Sequence, residues 1–172
     1  MGAVKMRLLL ISLISLNLYA GDNNVEIRTK GSSSLIHIDQ IGSGNTARVW
    51  CGLSEGTYTT HNCSNAEIDI DQNGTGNTAR AYSQVANHTG NEYKIDQDGN
   101  DNFGYIDASG SADNNDATIT QTGSGDHYMK LNFYTDDYNV DATQSGATNK
   151  SITVNYNCST NCNKTVTINQ GD

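Results

Sequence analysis

Along Ile68-Asp69-Ile70-Asp71-Gln72 apolar and polar residues alternate with a period of two, the mark of a strand with one face turned inward. The same pattern precedes six glutamines. Apolar residues stand four and two positions ahead of each: Ile36/Ile38 before Gln40, Ile68/Ile70 before Gln72, Tyr93/Ile95 before Gln97, Ala117/Ile119 before Gln121, Val140/Ala142 before Gln144 and Val166/Ile168 before Gln170. Alternation puts each glutamine on the apolar face. A glycine follows two positions later at Gly42, Gly74, Gly99, Gly123 and Gly146, and directly after the last glutamine at Gly171. These lie in runs such as Gly-x-Gly-Asn, whose residues tolerate positive φ and suit a turn. A second alternating run then begins, as at Ala47/Val49 and Ala79/Ala81. Each unit reads as strand, tight turn, strand.

Successive glutamines lie 32, 25, 24, 23 and 26 residues apart, which marks a repeat protein. One two-stranded unit cannot bury its apolar face and is marginal in water, so the units must stack. First strands then pair in parallel with first strands, and second strands with second strands. The expected fold is an all-β solenoid of strand-turn-strand repeats with two facing parallel sheets, becoming cross-β when assembled. A buried unpaired glutamine costs roughly 2–7 kcal/mol. Stacked amides satisfy one another rung to rung. The expected assembly ladders are Gln40, Gln72, Gln97, Gln121, Gln144 and Gln170, with Asn45, Asn77, Asn102 and Asn149 five positions after their glutamines.

Ile70-Asp71-Gln72-Asn73-Gly74-Thr75-Gly76-Asn77-Thr78-Ala79 and Ile38-Asp39-Gln40-Ile41-Gly42-Ser43-Gly44-Asn45-Thr46-Ala47 resemble the curlin repeat, Gln-x-Gly-x-x-Asn-x-Ala. The resemblance runs from about residue 34 to 171 and is closest in the first two repeats. Gly104 replaces the alanine in the third. In the fourth, His127 or Asp126 stands for the asparagine, and in both the fourth and fifth the apolar runs Met129/Leu131/Phe133 and Ile152/Val154/Tyr156 fall one position late. A one-residue bulge accounts for the shift in the fourth repeat; in the fifth, where Asn149 is in register, outward apolar residues account for it equally well. The resemblance implies a structural subunit of an extracellular functional-amyloid fibre in biofilm matrix and adhesion. It also implies a fibre at the cell surface that polymerises with itself, exported through an outer-membrane secretion pore and started by a nucleator subunit. The minor nucleator itself is the alternative role.

Composition fits this picture. The chain has 172 residues, no proline and a net charge of -9. Proline removes a ladder donor, so its absence suits stacked strands. The acidic balance argues against nucleic acid as a partner, since phosphate binding needs clustered Lys/Arg. Residues 1–20 are expected to be a secretory signal peptide, with Lys5 and Arg7 before the apolar run 8–18 and Ala20 ahead of the cut. Leu18 fits poorly three positions before that cut. The run is too short for a stable membrane span. Residues 21–33 form an N-terminal segment in which Val25-Glu26-Ile27-Arg28 reads either as a half-rung or as an unstructured secretion tail. Residues 34–172 form the repeat domain, whose last unit lacks a second strand.

Export favours disulfides. Cys51 and Cys63 bracket the enlarged first connection, and Cys158 and Cys162 bracket the last. Nearest-neighbour pairing is expected, with bridges between subunits or reduced thiols as the alternative. Asp39, Asp71 and Asp96 each precede a ladder glutamine. Stacked about 4.8 Å apart, they repel and raise one another's pKa, acting as a gatekeeper against premature stacking or simply as solvated charge. The partial threonine face of Thr118, Thr120, Thr143 and Thr167 raises an ice-binding solenoid as a rival. It is interrupted by Asp141 and Asn169. Calcium-binding solenoids need a Gly-Gly-x-Gly-x-Asp nonapeptide, which the sequence lacks. His37, His61, His88 and His127 occupy unrelated repeat positions, so no catalytic, cofactor or metal residues are assigned.

Overall fold

The computed structural model describes residues 12–18, 21–29, 31–52, 63–83, 88–108, 112–123, 126–133, 138–147, 149–157 and 164–171. Regular structure among them is all strand: β1 (Ser12–Leu18), β2 (Val25–Thr29), β3 (Ser34–Gly42), β4 (Ala47–Cys51), β5 (Glu67–Gly74), β6 (Ala79–Ser83), β7 (His88–Thr89), β8 (Glu92–Gln97), β9 (Gly104–Ala108), β10 (Ala112–Asp113), β11 (Asn115–Gln121), β12 (Tyr128–Phe133), β13 (Tyr138–Gln144), β14 (Ser151–Tyr156) and β15 (Lys164–Asn169). No described helix is long and apolar enough to cross a membrane.

The strands form the expected β-solenoid. One sheet runs β1-β3-β5-β8-β11-β13-β15 and the facing sheet β14-β12-β9-β6-β4-β2, while β7 and β10 pair in the connecting arcs. Pairing is parallel and in register, so Gln40 lies opposite Gln72, Gln72 opposite Gln97, Gln97 opposite Gln121 and Gln121 opposite Gln144. Register holds because a one-residue slip turns every isoleucine outward. Ile36, Ile38, Ile68, Ile70, Ile95, Ile119 and Ile106 are fully buried between the sheets. Opposite the first-strand isoleucines the second strands supply small residues, Ala47, Ala79 and Gly104, while Ile106 belongs to a second strand itself. A Cβ on Gly104 would come within 2.8 Å of Ile119 Cγ2, so the missing alanine of the third repeat makes room for that isoleucine.

The later repeats keep their apolar phase inward. Met129 pairs with Gly104 and Ile152 with Met129. Met129, Leu131 and Phe133 are buried, and Ile152, Val154 and Tyr156 pack against the core. The extra residue is absorbed in the turn after each glutamine, so neither a bulge within the strand nor outward apolar residues are needed.

The N-terminal end holds a further unit. β1 pairs with β3 from Ser12↔Ser34 to Leu18↔Gln40, and β2 pairs with β4 from Val25↔Ala47. Leu18 therefore takes the glutamine place and Asn23 the asparagine place of a rung, and part of the expected leader forms strand. Cys51 and Cys63 are joined by a disulfide, closing the one long arc at its two ends. Cys158 and Cys162 lie outside the described residues, as does His61.

Candidate functional site

Two rows of amides run through the solenoid interior. In the first, Gln40 Nε2 donates to Gln72 Oε1, Gln72 Nε2 to Gln97 Oε1 and Gln97 Nε2 to Gln121 Oε1, all at 2.9 Å, and Gln121 Nε2 donates to Gln144 Oε1 at 3.1 Å. The row points one way, and its ends are open. Gln40 Oε1 and Gln144 Nε2 are buried without a partner. Gln170 follows Asn169, which pairs with Thr143, so it stands at the level of Gln144. It is exposed, like the rest of β15.

In the second row the donors point the opposite way. Asn102 Nδ2 donates to Asn77 Oδ1 at 2.6 Å and Asn77 Nδ2 to Asn45 Oδ1 at 2.9 Å. Asn23 extends the row, its amide meeting that of Asn45 at 3.0 Å. At the other end the row stops. The place after Asn102 belongs to His127, which is buried with both ring nitrogens unpartnered, as is Asn102 Oδ1.

Asn149 does not continue this row, contrary to its expected place in the ladder. The additional turn residue displaces it outward, where it is exposed and its Nδ2 donates to Asp126 Oδ1. The turn glycines also differ in role. Left-handed backbone falls on Ser43, Thr75 and Asn100, with φ of 83°, 73° and 75°, one residue after Gly42, Gly74 and Gly99. Only Gly123 and Gly146 take it themselves, with φ of 98° and 95°. Gly42 and Gly74 end their strands and Gly99 lies just past the end of its own, whereas Gly123 and Gly146 make the turn themselves.

A third buried row was missed in the sequence. Asn91 Oδ1 accepts from Ala66 N at 2.9 Å, Asn115 Oδ1 accepts from Asn91 N at 3.1 Å, and Asn91 Nδ2 donates to Cys63 O and Tyr93 Oη. It ties the start of the first strands together where the disulfide arc returns. The signal was an asparagine two positions before the first apolar residue, present in only two repeats. Burial holds the Tyr93 hydroxyl above its ordinary pKa, against hydrogen bonds from Ser83 and Asn91.

Outside the first sheet, Asp39, Asp71 and Asp96 stack in register. Burial pushes the Asp96 carboxyl up, with Asp71, Asp98 and Asp69 adding to the shift and Lys94 opposing it. Lys94 Nζ lies 3.2 Å from Asp69 Oδ1 and 3.4 Å from Asp71 Oδ1. Burial works against its charge, yet those two carboxylates hold the ammonium above its usual pKa. His37 Nδ1 is 3.4 Å from Asp69 Oδ2. His37, Asp69 and Asp71 could converge on a cation, but Lys94 already compensates both aspartates. The threonine face is partial here too: Thr120 and Thr143 follow Asp96 in their row, while Asp141 separates Thr118 from Thr167.

Among family models, that of the curlin associated repeat matches residues 89–123. These span β8, β9, β10 and β11, and with them Gln97, Asn102 and Gln121. Comparison with curated proteins and with solved structures found no match.

Proposed function

We propose that this chain is the subunit of an extracellular, curli-like amyloid fibre and that it polymerises head to tail. The observation that carries the reading is the pair of complementary open ends. Five stacked glutamines leave an acceptor, Gln40 Oε1, at one end and a donor, Gln144 Nε2, at the other. A heterologous contact of this kind does not close on itself and builds a filament.

The half-rungs give the joint its shape. β15 is a first strand with no described second strand beyond it, and β2 is a second strand whose first-strand partner, β1, lies in the segment read as the export leader. With residues 1–20 removed, the edge of β3 is bare. β15 of a neighbouring copy fits there while β2 meets its β14. Gln170 then stands between Gln144 and the neighbour's Gln40, closing the ladder across molecules. The exposed Val166 and Ile168, at 44 % and 46 % accessibility, become interior on this docking. An uncleaved leader covers the same edge, so the precursor elongates poorly.

Within this reading the chain is secreted to the cell surface, where fibres serve biofilm matrix and adhesion, and its partners are further copies, a nucleator subunit and an outer-membrane pore. The intact glutamine row favours the major subunit. The interrupted asparagine row favours the minor nucleator. We assign no catalysis. Electron microscopy and thioflavin binding of the mature, oxidised protein test the proposal. Long unbranched fibres with a meridional reflection near 4.8 Å, the spacing of paired strands, are expected; a solution that stays monodisperse for days ends it. Deleting residues 21–30 tests the joint, since elongation that continues undiminished removes β2 from it.

A further inference from the structure

The two outer faces of the solenoid differ in chemistry. On the first sheet two outward rows are acidic over three rungs, Asp39, Asp71 and Asp96 in one and Glu67, Glu92 and Asp116 in the other, while the row between them mixes His37, Asp69, Lys94 and Thr118. Among the described residues the basic groups that meet carboxylates on this sheet are Lys94, against Asp69 and Asp71, and His37, against Asp69. Asp39, Asp96, Glu67, Glu92 and Asp116 have no ion-pair partner among the described residues. Among the described residues the second sheet carries more cations than carboxylates: Glu26, opposite Arg48, pairs with Arg28, and Asp107 accepts from Tyr105 Oη. Arg48 pairs in register with Arg80, Arg80 with Tyr105 and Tyr105 with Lys130. None of these three cations has a carboxylate partner among the described residues, and the Nε atoms of Arg48 and Arg80 are buried without an acceptor.

Aromatic rings separate and support these cations. Trp50 stacks on Tyr82 with centroids 5.3 Å apart and Phe103 on Tyr128 at 5.0 Å. Arg80 lies over Phe103 at 5.2 Å and Lys130 over Tyr105 at 5.5 Å. Trp50 on Tyr82 and Phe103 on Tyr128 stack along the solenoid axis while Tyr105 meets Tyr82 edge to face, so neighbouring rings and cations occupy most of the ring faces. What this sheet offers outward is ring edges and N–H donors in rows. Such a surface is poorly suited to stacking a sugar or a base and well suited to carboxylates repeating at the strand spacing.

The acidic face of another copy presents carboxylates in that form. We propose that the basic, aromatic face of the second sheet docks laterally on the acidic face of the first sheet of a second copy, so that filaments bundle front to back. Both faces belong to one solenoid and share one rung spacing, about 4.8 Å, so a match at one rung repeats along the whole length. Docking also relieves the repulsion within the aspartate row. The contact is heterologous and stacks filaments into open sheets. The inference rests on the fibre reading for its scale, not for its chemistry.

Three preparations test it: wild type, a basic-face variant (R48E, R80E, K130E) and an acidic-face variant (D39K, D71K, D96K). Thioflavin kinetics report elongation, and electron microscopy reports filament width. The wild type is expected to bundle at low salt, at least roughly twofold wider than single filaments, and to separate at 1 M salt, where the screening length falls to about 3 Å. Each variant alone should elongate but stay single, and the two mixed should bundle again. Widths indifferent to salt and to both variants overturn the proposal, as does a mixture that stays single. Wild-type filaments that remain single at low salt yet bind dextran sulfate would assign the basic face to a polyanion instead, overturning it too. If the wild type forms no fibres, the fibre reading falls by itself. Light scattering of the soluble variants, separate and mixed, then still decides the contact.

Discussion

Asn102 and His127 hold equivalent places on neighbouring strands, and neither satisfies the other: Asn102 Oδ1 and both ring nitrogens of His127 are buried without a hydrogen-bond partner. The asparagine row is therefore broken within the molecule, while the glutamine row beside it is intact through Gln144. Replacing His127 with asparagine supplies an Nδ2 donor to Asn102 in the geometry of the rungs before it. One restored buried hydrogen bond is worth about 1 kcal/mol. His127→Asn should raise the thermal midpoint by about 2–4 °C for a chain of this size. Calorimetry showing a lower midpoint would mean that the imidazole fills space an asparagine cannot.

Central and terminal glutamines should separate stability from growth. Gln97→Leu leaves Gln72 Nε2 and Gln121 Oε1 unpaired, at a cost of about 1–3 kcal/mol each, and should be read directly in denaturant unfolding. Gln170 is exposed in the single chain. Gln170→Ala should leave the monomer's unfolding unchanged and slow elongation by about tenfold, the equivalent of 1.4 kcal/mol at the joint. Gln40→Ala is expected to slow elongation as well, and more than Gln97→Leu does. Equal elongation rates for all three would contradict an end-to-end ladder.

The glycines offer a second contrast. Gly123 has a φ of 98°, and a Cβ there would lie 2.5 Å from Asp98 O. Gly99 sits one rung earlier in ordinary backbone with its nearest neighbour 3.9 Å away. Gly123→Ala should destabilise by at least about 1–3 kcal/mol, the cost of holding a side chain in strained backbone. Gly99→Ala should be within about 0.5 kcal/mol of the parent, as for substitutions away from such features.

The Cys51–Cys63 disulfide spans 12 residues of sequence. Closing a loop of that size contributes about 3 kcal/mol through the unfolded chain. The Cys51→Ser/Cys63→Ser pair should lose that much in urea unfolding while keeping its strand content by circular dichroism, because the register of the stack is set elsewhere. Lost strand content would make the bridge a condition of folding.

Asp96 gives the expected pH dependence. Its carboxyl is raised by burial and by neighbouring carboxylates, so the folded state holds the proton more tightly than the unfolded one. The resulting stabilisation is complete below the ordinary carboxylate value of about 4 and is lost as pH rises through the raised value. Asp96→Asn mimics the protonated form. The variant should be more stable than the parent at pH 7 and equal to it near pH 3.5, as judged by thermal midpoints. An advantage of the same size at both pH values would remove titration as its cause.

The sequence by itself determined the repeat, the strand-turn-strand unit, the parallel stack and the burial of five of the six ladder glutamines. All of these follow from local alternation and from a spacing that recurs, and a period of two leaves one way to turn isoleucines inward. It also placed the Cys51–Cys63 bridge, since those cysteines flank the one enlarged arc. Tertiary structure alone decided which asparagine joins a row. Asn149 stands five positions after Gln144 as Asn77 does after Gln72, yet one more turn residue is tolerated because the apolar strand beyond it must still face inward, and the core outweighs one amide. The opposed directions of the two rows, and the excess of carboxylates on one outer face and of cations on the other, likewise arise only when residues two dozen positions apart are brought side by side.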